Sequence, residues 1–294
     1  MTDHRYPDPD FVCRTVPLVR AYTRYFSPVV TGLEHLPPAG PVLVVGNHSG
    51  LYWMPDVWVT ALAMLERRGL REPSYALVHD LLLRAPGVGD GLRRLGALPA
   101  GMDSGLAGLK DGGAVLVYPG GDREACRPWR ERGRVDLGGH SGFVRLALQA
   151  GVPVVPVVAH GGHDVVVILS RGEVTARLLG LGRLRLKVFP WTLGLPLGVA
   201  PVLPQVPLPA AVKVSFLPAL DWSVRESYGD PEDPDVVAAC FDATQRVMQS
   251  EMDRLRAACP RPVAEGLARL LPTWAHAARS GPTGPPARSG QPSA

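Results

Sequence analysis

Four short apolar runs mark the chain, near residues 41–46, 75–78, 114–118 and 153–158. Between them lie stretches with helical spacing, near 56–68, 103–111 and 142–150. The first run, Val42-Leu43-Val44-Val45, is β-branched at every position but one and reads as a buried strand. Strands that alternate with helices predict an α/β fold with a mostly parallel central sheet flanked by crossover helices. A further β-rich stretch covers Leu184 to Val188 and Val212 to Leu217, divided by a Pro-rich span from Pro190 to Pro209. After Asp230-Pro231-Glu232-Asp233-Pro234-Asp235, apolar spacing through Leu255 predicts a packing helix. At the other end, Val12, Val16, Val19, Phe26 and Val30 share one helical face, while Arg14, Arg20 and Arg24 lie elsewhere. Pro17 starts or bends that helix. Such a basic amphipathic helix either lies in a bilayer interface or packs on the core.

These patterns divide the chain into an N-terminal amphipathic segment (1–35), a main domain (36–271) and a Ser-, Gly-, Pro- and Arg-rich tail (272–294) expected to be disordered. Composition refines the picture. At 294 residues and 46% hydrophobic, the chain has ample material for a large core. No apolar run approaches the roughly 18 residues of a spanning helix, and the polar, acidic first ten residues carry no secretory signal. The pI of about 9.0 suits an anionic lipid surface. Arginines are scattered instead of clustering with aromatics, which argues against nucleic acid as a partner. Four cysteines without a close pair indicate neither zinc nor a disulfide framework. The expected location is the cytoplasm, peripherally associated with the membrane. Leu51-Tyr52-Trp53-Met54 and the apolar span near 195–209 are further candidates for touching lipid or lining an apolar tunnel.

The chemistry concentrates where strands end. Gly46-Asn47-His48-Ser49-Gly50 follows the first run directly, and Pro55-Asp56 opens the next helix. Open α/β sheets collect their reactive groups at the carboxyl ends of strands. A histidine there titrates near neutral pH, and a carboxylate taking its second ring proton raises its basicity. Val115-Leu116-Val117-Tyr118 likewise runs into Pro119-Gly120-Gly121-Asp122-Arg123-Glu124.

Asn-His-Ser-Gly followed by Pro-Asp, then Tyr-Pro-Gly-Gly-Asp-Arg-Glu, then Gly-Phe-Val-Arg-Leu-Ala (142–147) and Gly-Val-Pro-Val-Val-Pro-Val (151–157), resemble the glycerolipid acyltransferases. The likeness covers roughly residues 30 to 220 and is nearest to the mono- and diacylglycerol branch. It implies transfer of an acyl group from a thioester, coenzyme A or acyl carrier protein, to a lipid hydroxyl, with no other cofactor and no metal. Carried over by motif, His48 is the general base and Asp56 its partner. Asn47, Ser49, Pro119, Gly120, Gly121, Arg123 and Glu124 fall in the substrate-binding blocks. The Gly120 and Gly121 N–H groups are candidates for an oxyanion hole, and Glu124 either orients an acceptor hydroxyl or pairs with Arg123. Membership also implies a place in lipid metabolism, with phospholipid biosynthesis the common setting.

Three features depart from the pattern. Ser49 to Pro55 is a longer spacer than common members place between the His and the Asp. The Phe-Pro-Glu-Gly-Thr-Arg block of phosphate-accepting members is replaced by Tyr118-Pro119-Gly120-Gly121-Asp122-Arg123, with the acid displaced to Glu124. Leu95-Gly96-Ala97-Leu98-Pro99 continues into Ala100-Gly101 without the arginine those members carry. Missing that cation favours a neutral acceptor, because bidentate phosphate recognition uses arginine. The altered spacing also leaves room for a catalytically inactive relative that binds acyl chains or lipid.

Other motifs fail on spacing. Gly139-His140-Ser141-Gly142-Phe143 lacks the last glycine of a nucleophile elbow, and Gly87-Val88-Gly89-Asp90-Gly91-Leu92 misses the dinucleotide fingerprint. His160-Gly161-Gly162-His163-Asp164 reads as a loop lining the pocket better than as a metal site. Arg93, Arg94 and Lys110 either meet the donor's phosphates or form a solvated basic face.

Overall fold

A computed structural model describes residues 7–184, 187–220, 222, 230 and 232–270. Seven strands form one sheet: β1 (Val29–Thr31), β2 (Val42–Gly46), β3 (Ser74–Val78), β4 (Ala97–Pro99), β5 (Ala114–Val117), β6 (Val154–His160) and β10 (Lys213–Phe216). Their order is β1-β10-β6-β2-β5-β3-β4, and every neighbouring pair is parallel except β10 against β6. A second, antiparallel sheet joins β7 (Val167–Ser170), β8 (Trp191–Gly194) and β9 (Gly198–Pro201). The helices are α1 (Pro9–Arg24), α2 (Pro55–Arg68), α3 (Asp80–Arg84), α4 (Val88–Arg94), α5 (Met102–Lys110), α6 (Gly121–Ala125), α7 (Gly142–Ala150), α8 (Glu173–Leu178), α9 (Pro234–Ala258) and α10 (Pro262–Leu270).

The side-chain alternation of β2 shows why both faces of the large sheet are covered. Leu43 and Val45 join Val115 and Val154 in a core roofed by α5, α7 and α9. Val42 and Val44 join Leu116, Val155 and Val59 of α2 on the opposite face. A strand apolar at every position must be buried on both sides, and parallel sheets meet that need. The α/β expectation therefore holds, with elements within a residue or two of those read from the pattern.

Two expectations are corrected. Phe26 and Val30 do not continue the helical face of α1. The helix ends at Arg24, Phe26 is fully buried, and Val30 pairs with Val214 in β1. Pro17 lies inside the helix. The second correction concerns strands: they form inside the Pro-rich span, at β8 and β9, whereas Lys187 and Val188 belong to no element. Arg185 and Leu186, like the tail from 272, lie outside the described residues. Gly194 and Gly198 flank the turn, and Pro190 and Pro201 sit where no ladder N–H is needed.

Candidate active site

β2 ends at Gly46, and the next residues deliver the site. The Asn47 side chain is fully buried; its amide donates to the Ala159 carbonyl (3.0 Å) while its oxygen accepts the Ala159 N–H (2.7 Å). Asn47 thus staples the exit of β2 to β6, and its amide is not available to substrate. His48 follows. Its Nδ1 lies 2.9 Å from Asp56 Oδ2, and the Ser49 N–H also donates to that oxygen, at 2.9 Å. Asp56 is fully buried in the first turn of α2, where the helix N-terminus favours a carboxylate. The long spacer does not separate the pair. Gly50, Leu51 and Met54 all adopt positive φ (80°, 51° and 43°), coiling the loop so that Asp56 returns to the imidazole. Two non-glycine residues in that region store backbone strain, a pattern concentrated at functional sites.

With Nδ1–H directed at Asp56, the lone pair of Nε2 is free to take a proton. The His48 side chain is 14% exposed, and Nε2 has no partner among the described residues. Burial alone would lower its pKa. The Asp56 charge and hydrogen bond, reinforced by Glu124 and Asp122, outweigh that effect and hold the imidazole above its ordinary value. The Tyr118 ring packs against it at 5.0 Å between centroids. This fit requires Gly46, where a Cβ would come within 2.4 Å of that ring.

Glu124 takes a role that its neighbours in sequence did not suggest. It is fully buried and pairs at 2.9 Å with Arg127, three residues on and just past the end of α6, while Arg123 stands exposed. Its carboxylate also accepts the backbone N–H of His48 (2.8 Å) and of Asp136 (3.1 Å). Glu124 therefore pairs with Arg127 and not with Arg123, and it anchors the backbone that carries His48. Burial raises its carboxyl above the ordinary range, and Arg127 with the two N–H donors pulls it part of the way back. Gly120 makes room for this anchor, since a Cβ there would meet Glu124 Oε2 and the Asp136 carbonyl at 2.4 Å each.

The oxyanion expectation divides. The Gly121 N–H already donates to the Tyr118 carbonyl at 3.1 Å. The Gly120 N–H has no acceptor among the described residues and remains the candidate of the two. The Pro119 carbonyl receives His140 Nδ1 at 3.1 Å. Arg94 is likewise committed, to Asp8 at 2.7 Å and over the Phe11 ring, and so fixes α1.

Beside the pair lies a polar cluster that includes Gly162, His163 and Asp164, from the loop that the sequence expects to line the pocket. Gly162 approaches Ser49 so closely that a Cβ would fall 2.0 Å from the hydroxyl. Next to it, Asp164 bonds Trp129 Nε1 (3.1 Å) and Arg132 Nε (3.2 Å). Ser49 Oγ, Asp56 Oδ1, Arg127 Nε and Nη1, both His163 nitrogens and Asp164 Oδ2 are buried without a partner among the described residues. Burial, Arg127 and His48 push the His163 pKa well below its ordinary value, so it is a neutral ring. Structural cores rarely leave so many polar atoms unmatched. The signal for Arg127 was its spacing of three from Glu124, across the end of a short helix.

Comparison with known proteins finds the following likenesses. The acyltransferase family profile matches residues 27–160, the stretch from β1 through the end of β6. An uncharacterized protein of Mycobacterium leprae is 28% identical over 246 residues, covering 82% of this chain and 64% of its own. An uncharacterized protein of Mycobacterium tuberculosis (strain H37Rv) is 29% identical over 253 residues, 85% of this chain and 68% of its own. Phytyl ester synthase 2, chloroplastic, of Arabidopsis thaliana is 34% identical over 142 residues, 47% of this chain and 20% of its own. Among solved structures, the 1-acyl-sn-glycerophosphate (LPA) acyltransferase PlsC of Thermotoga maritima aligns with a TM-score of 0.49 and 21% identity, over 81% of this chain and 76% of that chain. The chain spans about two thirds of the length of its mycobacterial relatives and a fifth of the plant one. The stretch that is similar to the acyltransferase family, residues 27–160, holds His48, Asp56 and Glu124.

Proposed function

We propose that the protein is an O-acyltransferase that moves a fatty acyl group from a thioester to a lipid hydroxyl, with His48 as general base. The observation that carries this reading is the 2.9 Å contact between His48 Nδ1 and buried Asp56, which leaves Nε2 open at the end of β2. In the reaction, Nε2 takes the acceptor's hydroxyl proton as the oxygen attacks the thioester carbonyl. The carbon–sulfur bond then breaks, and the same proton leaves with the thiolate. Asp56 holds the tautomer and stabilises the imidazolium, and the Gly120 N–H faces the developing oxyanion. General-base action contributes roughly 10²–10⁴-fold.

The acceptor is a neutral lipid alcohol. Support comes from Pro99-Ala100-Gly101, where phosphate-accepting relatives of the motif carry arginine, and from a relative whose name describes synthesis of phytyl esters. The donor is coenzyme A or acyl carrier protein thioester. The test is free-thiol release from acyl-CoA by purified protein with glycerolipid, phosphorylated glycerolipid and long-chain alcohol acceptors. Acceptor-dependent release, lost in His48→Ala and strongest with a neutral alcohol, supports the reading. Chain binding with no release from wild type would mark the protein as an inactive relative and overturn it.

A further inference from the structure

The small sheet breaks the usual rule for an antiparallel sheet, in which one face is apolar and covered while the other is polar and wet. Cross-strand register places Ile168, Thr192 and Ala200 on one face, all buried, and Val167, Leu193 and Val199 on the other. That second face is apolar too, and Leu193 and Val199 stand exposed on it. The turn joining β8 to β9 is Leu195-Pro196-Leu197, whose leucines are 74% and 49% exposed, and Leu178 at the end of α8 is 83% exposed. Thirteen of the twenty-two large apolar side chains exposed among the described residues fall between 169 and 208. Single exposed leucines are ordinary, but a contiguous patch of this kind marks an interaction surface.

Charge says what covers it. Residues 165–210 contain five cations (Arg171, Arg177, Arg183, Arg185, Lys187) and one anion (Glu173), a net of +4. The whole chain is also +4, from 31 basic and 27 acidic residues, so the other residues, with 26 of each sign, sum to zero. The entire excess positive charge sits in the segment that exposes the apolar side chains. Arg177, Arg183 and Lys187 stand exposed, and no salt bridge joins them to a described residue.

From this coincidence we propose that the β7–β9 sheet, its β8–β9 tip and α8 form a docking surface for an anionic lipid bilayer, with the leucines inserted and the arginines at the headgroups. The inference deepens the lipid-acyltransferase reading and rests on it for the source of substrate. The surface adjoins the site loop: Tyr52 donates to the Leu203 carbonyl (2.9 Å) and Trp53 Nε1 to the Gln205 carbonyl (3.0 Å). Docking there brings the loop between His48 and Asp56 to the membrane. It also displaces α1 as the membrane element. The apolar side of α1, through Val12, Val16 and Val19, faces α2 and the sheet across a cavity of about 130 Å³ that none of the site residues lines. Leu18 is the large apolar residue that α1 leaves exposed.

The test is flotation of the full chain with vesicles of phosphatidylcholine alone or mixed with phosphatidylglycerol, each variant first checked for an unchanged melt. Wild type should float with the mixed vesicles. Leu178→Ser/Leu195→Ser/Leu197→Ser should bind roughly tenfold more weakly or less, and Arg177→Gln/Arg183→Gln should lose the preference for anionic lipid. Leu18→Ser and His48→Ala should bind as wild type. Failure of wild type to float, full binding by the triple leucine variant, or loss of binding in Leu18→Ser would overturn the proposal. So would a dimer in solution that the leucine variant disperses without any vesicle binding, since the occupant would then be a second copy. Binding without acyl transfer keeps the surface and sinks the catalytic reading; transfer to soluble acceptors without binding does the reverse.

Discussion

Two charged pairs meet at one residue. His48 bonds Asp56 through its ring and Glu124 through its backbone N–H, and Glu124 in turn pairs with Arg127. Both pairs close at 2.9 Å, yet they serve different ends. The His48–Asp56 pair keeps an open nitrogen on the imidazole, so a proton can enter and leave. The Glu124–Arg127 pair is sealed from solvent, and its carboxylate ties together α6, the Asp136 segment and the turn after β2. A carboxylate close to the proposed base can thus act on the imidazole or on the backbone alone. Access to the partner decides which.

The largest test of that division is His48→Ala. Acyl transfer should fall roughly 10²–10⁴-fold, while the thermal melt stays close to wild type because the ring lies at the surface of the core. A fall in melting temperature of the same rank as the activity loss would mean the imidazole is structural.

Arg127→Met should do the opposite. It leaves the Glu124 carboxylate buried without its counter-charge, a change that costs about 3–5 kcal/mol in denaturant titrations. Replacing both members of a buried pair with apolar residues often restores stability. Here Glu124→Leu/Arg127→Met should recover only part of the loss, because the His48 and Asp136 N–H groups would then be left without an acceptor. Full recovery with full activity would show that the anchor on His48 is dispensable. Gly120→Ala is milder in chemistry but presses on the same point: its methyl meets Glu124 Oε2 and the Asp136 carbonyl at 2.4 Å. Overpacking of this sort costs about 1–3 kcal/mol, read as a lower melting temperature with activity reduced alongside.

The pairs were not equally legible in the sequence. His48 and Asp56 stand at a strand end and a helix start, and both positions announce themselves through apolar runs, glycines and a proline. Arg127 carries no such marker. Its partner could be read only by knowing that residues 121–125 form a single helical turn that turns Arg123 outward and lets Arg127 fold back. Asn47 looks like part of a binding motif because its neighbour is reactive, yet its amide completes the sheet. The β8–β9 hairpin was hidden for another reason. Prolines and glycines usually signal loops, and they masked the alternation of Trp191-Thr192-Leu193 and Val199-Ala200-Pro201. Where local pattern and local structure coincide, as along β2, β5 and α7, the sequence reading and the structure agree closely. Where long-range pairing decides, they part.

The smallest and sharpest test is the acid limb of the pH–rate profile. The base must be unprotonated, so transfer rises with pH through the His48 pKa, which lies above the usual imidazole value. Asp56→Asn removes the main influences that raise it and leaves burial, which lowers it, so the limb should move to lower pH while the maximal rate falls. Glu124→Gln keeps an oxygen for the His48 N–H but removes a charge that also raises the imidazole pKa, through space only. Its limb should shift the same way by less, together with a loss of stability from the unpaired Arg127. If Asp56→Asn leaves the limb in place, the titrating base is not His48. If Glu124→Gln alone leaves it in place, Glu124 is protonated in the native protein, and the buried pair owes its hold on the backbone to hydrogen bonds and not to charge.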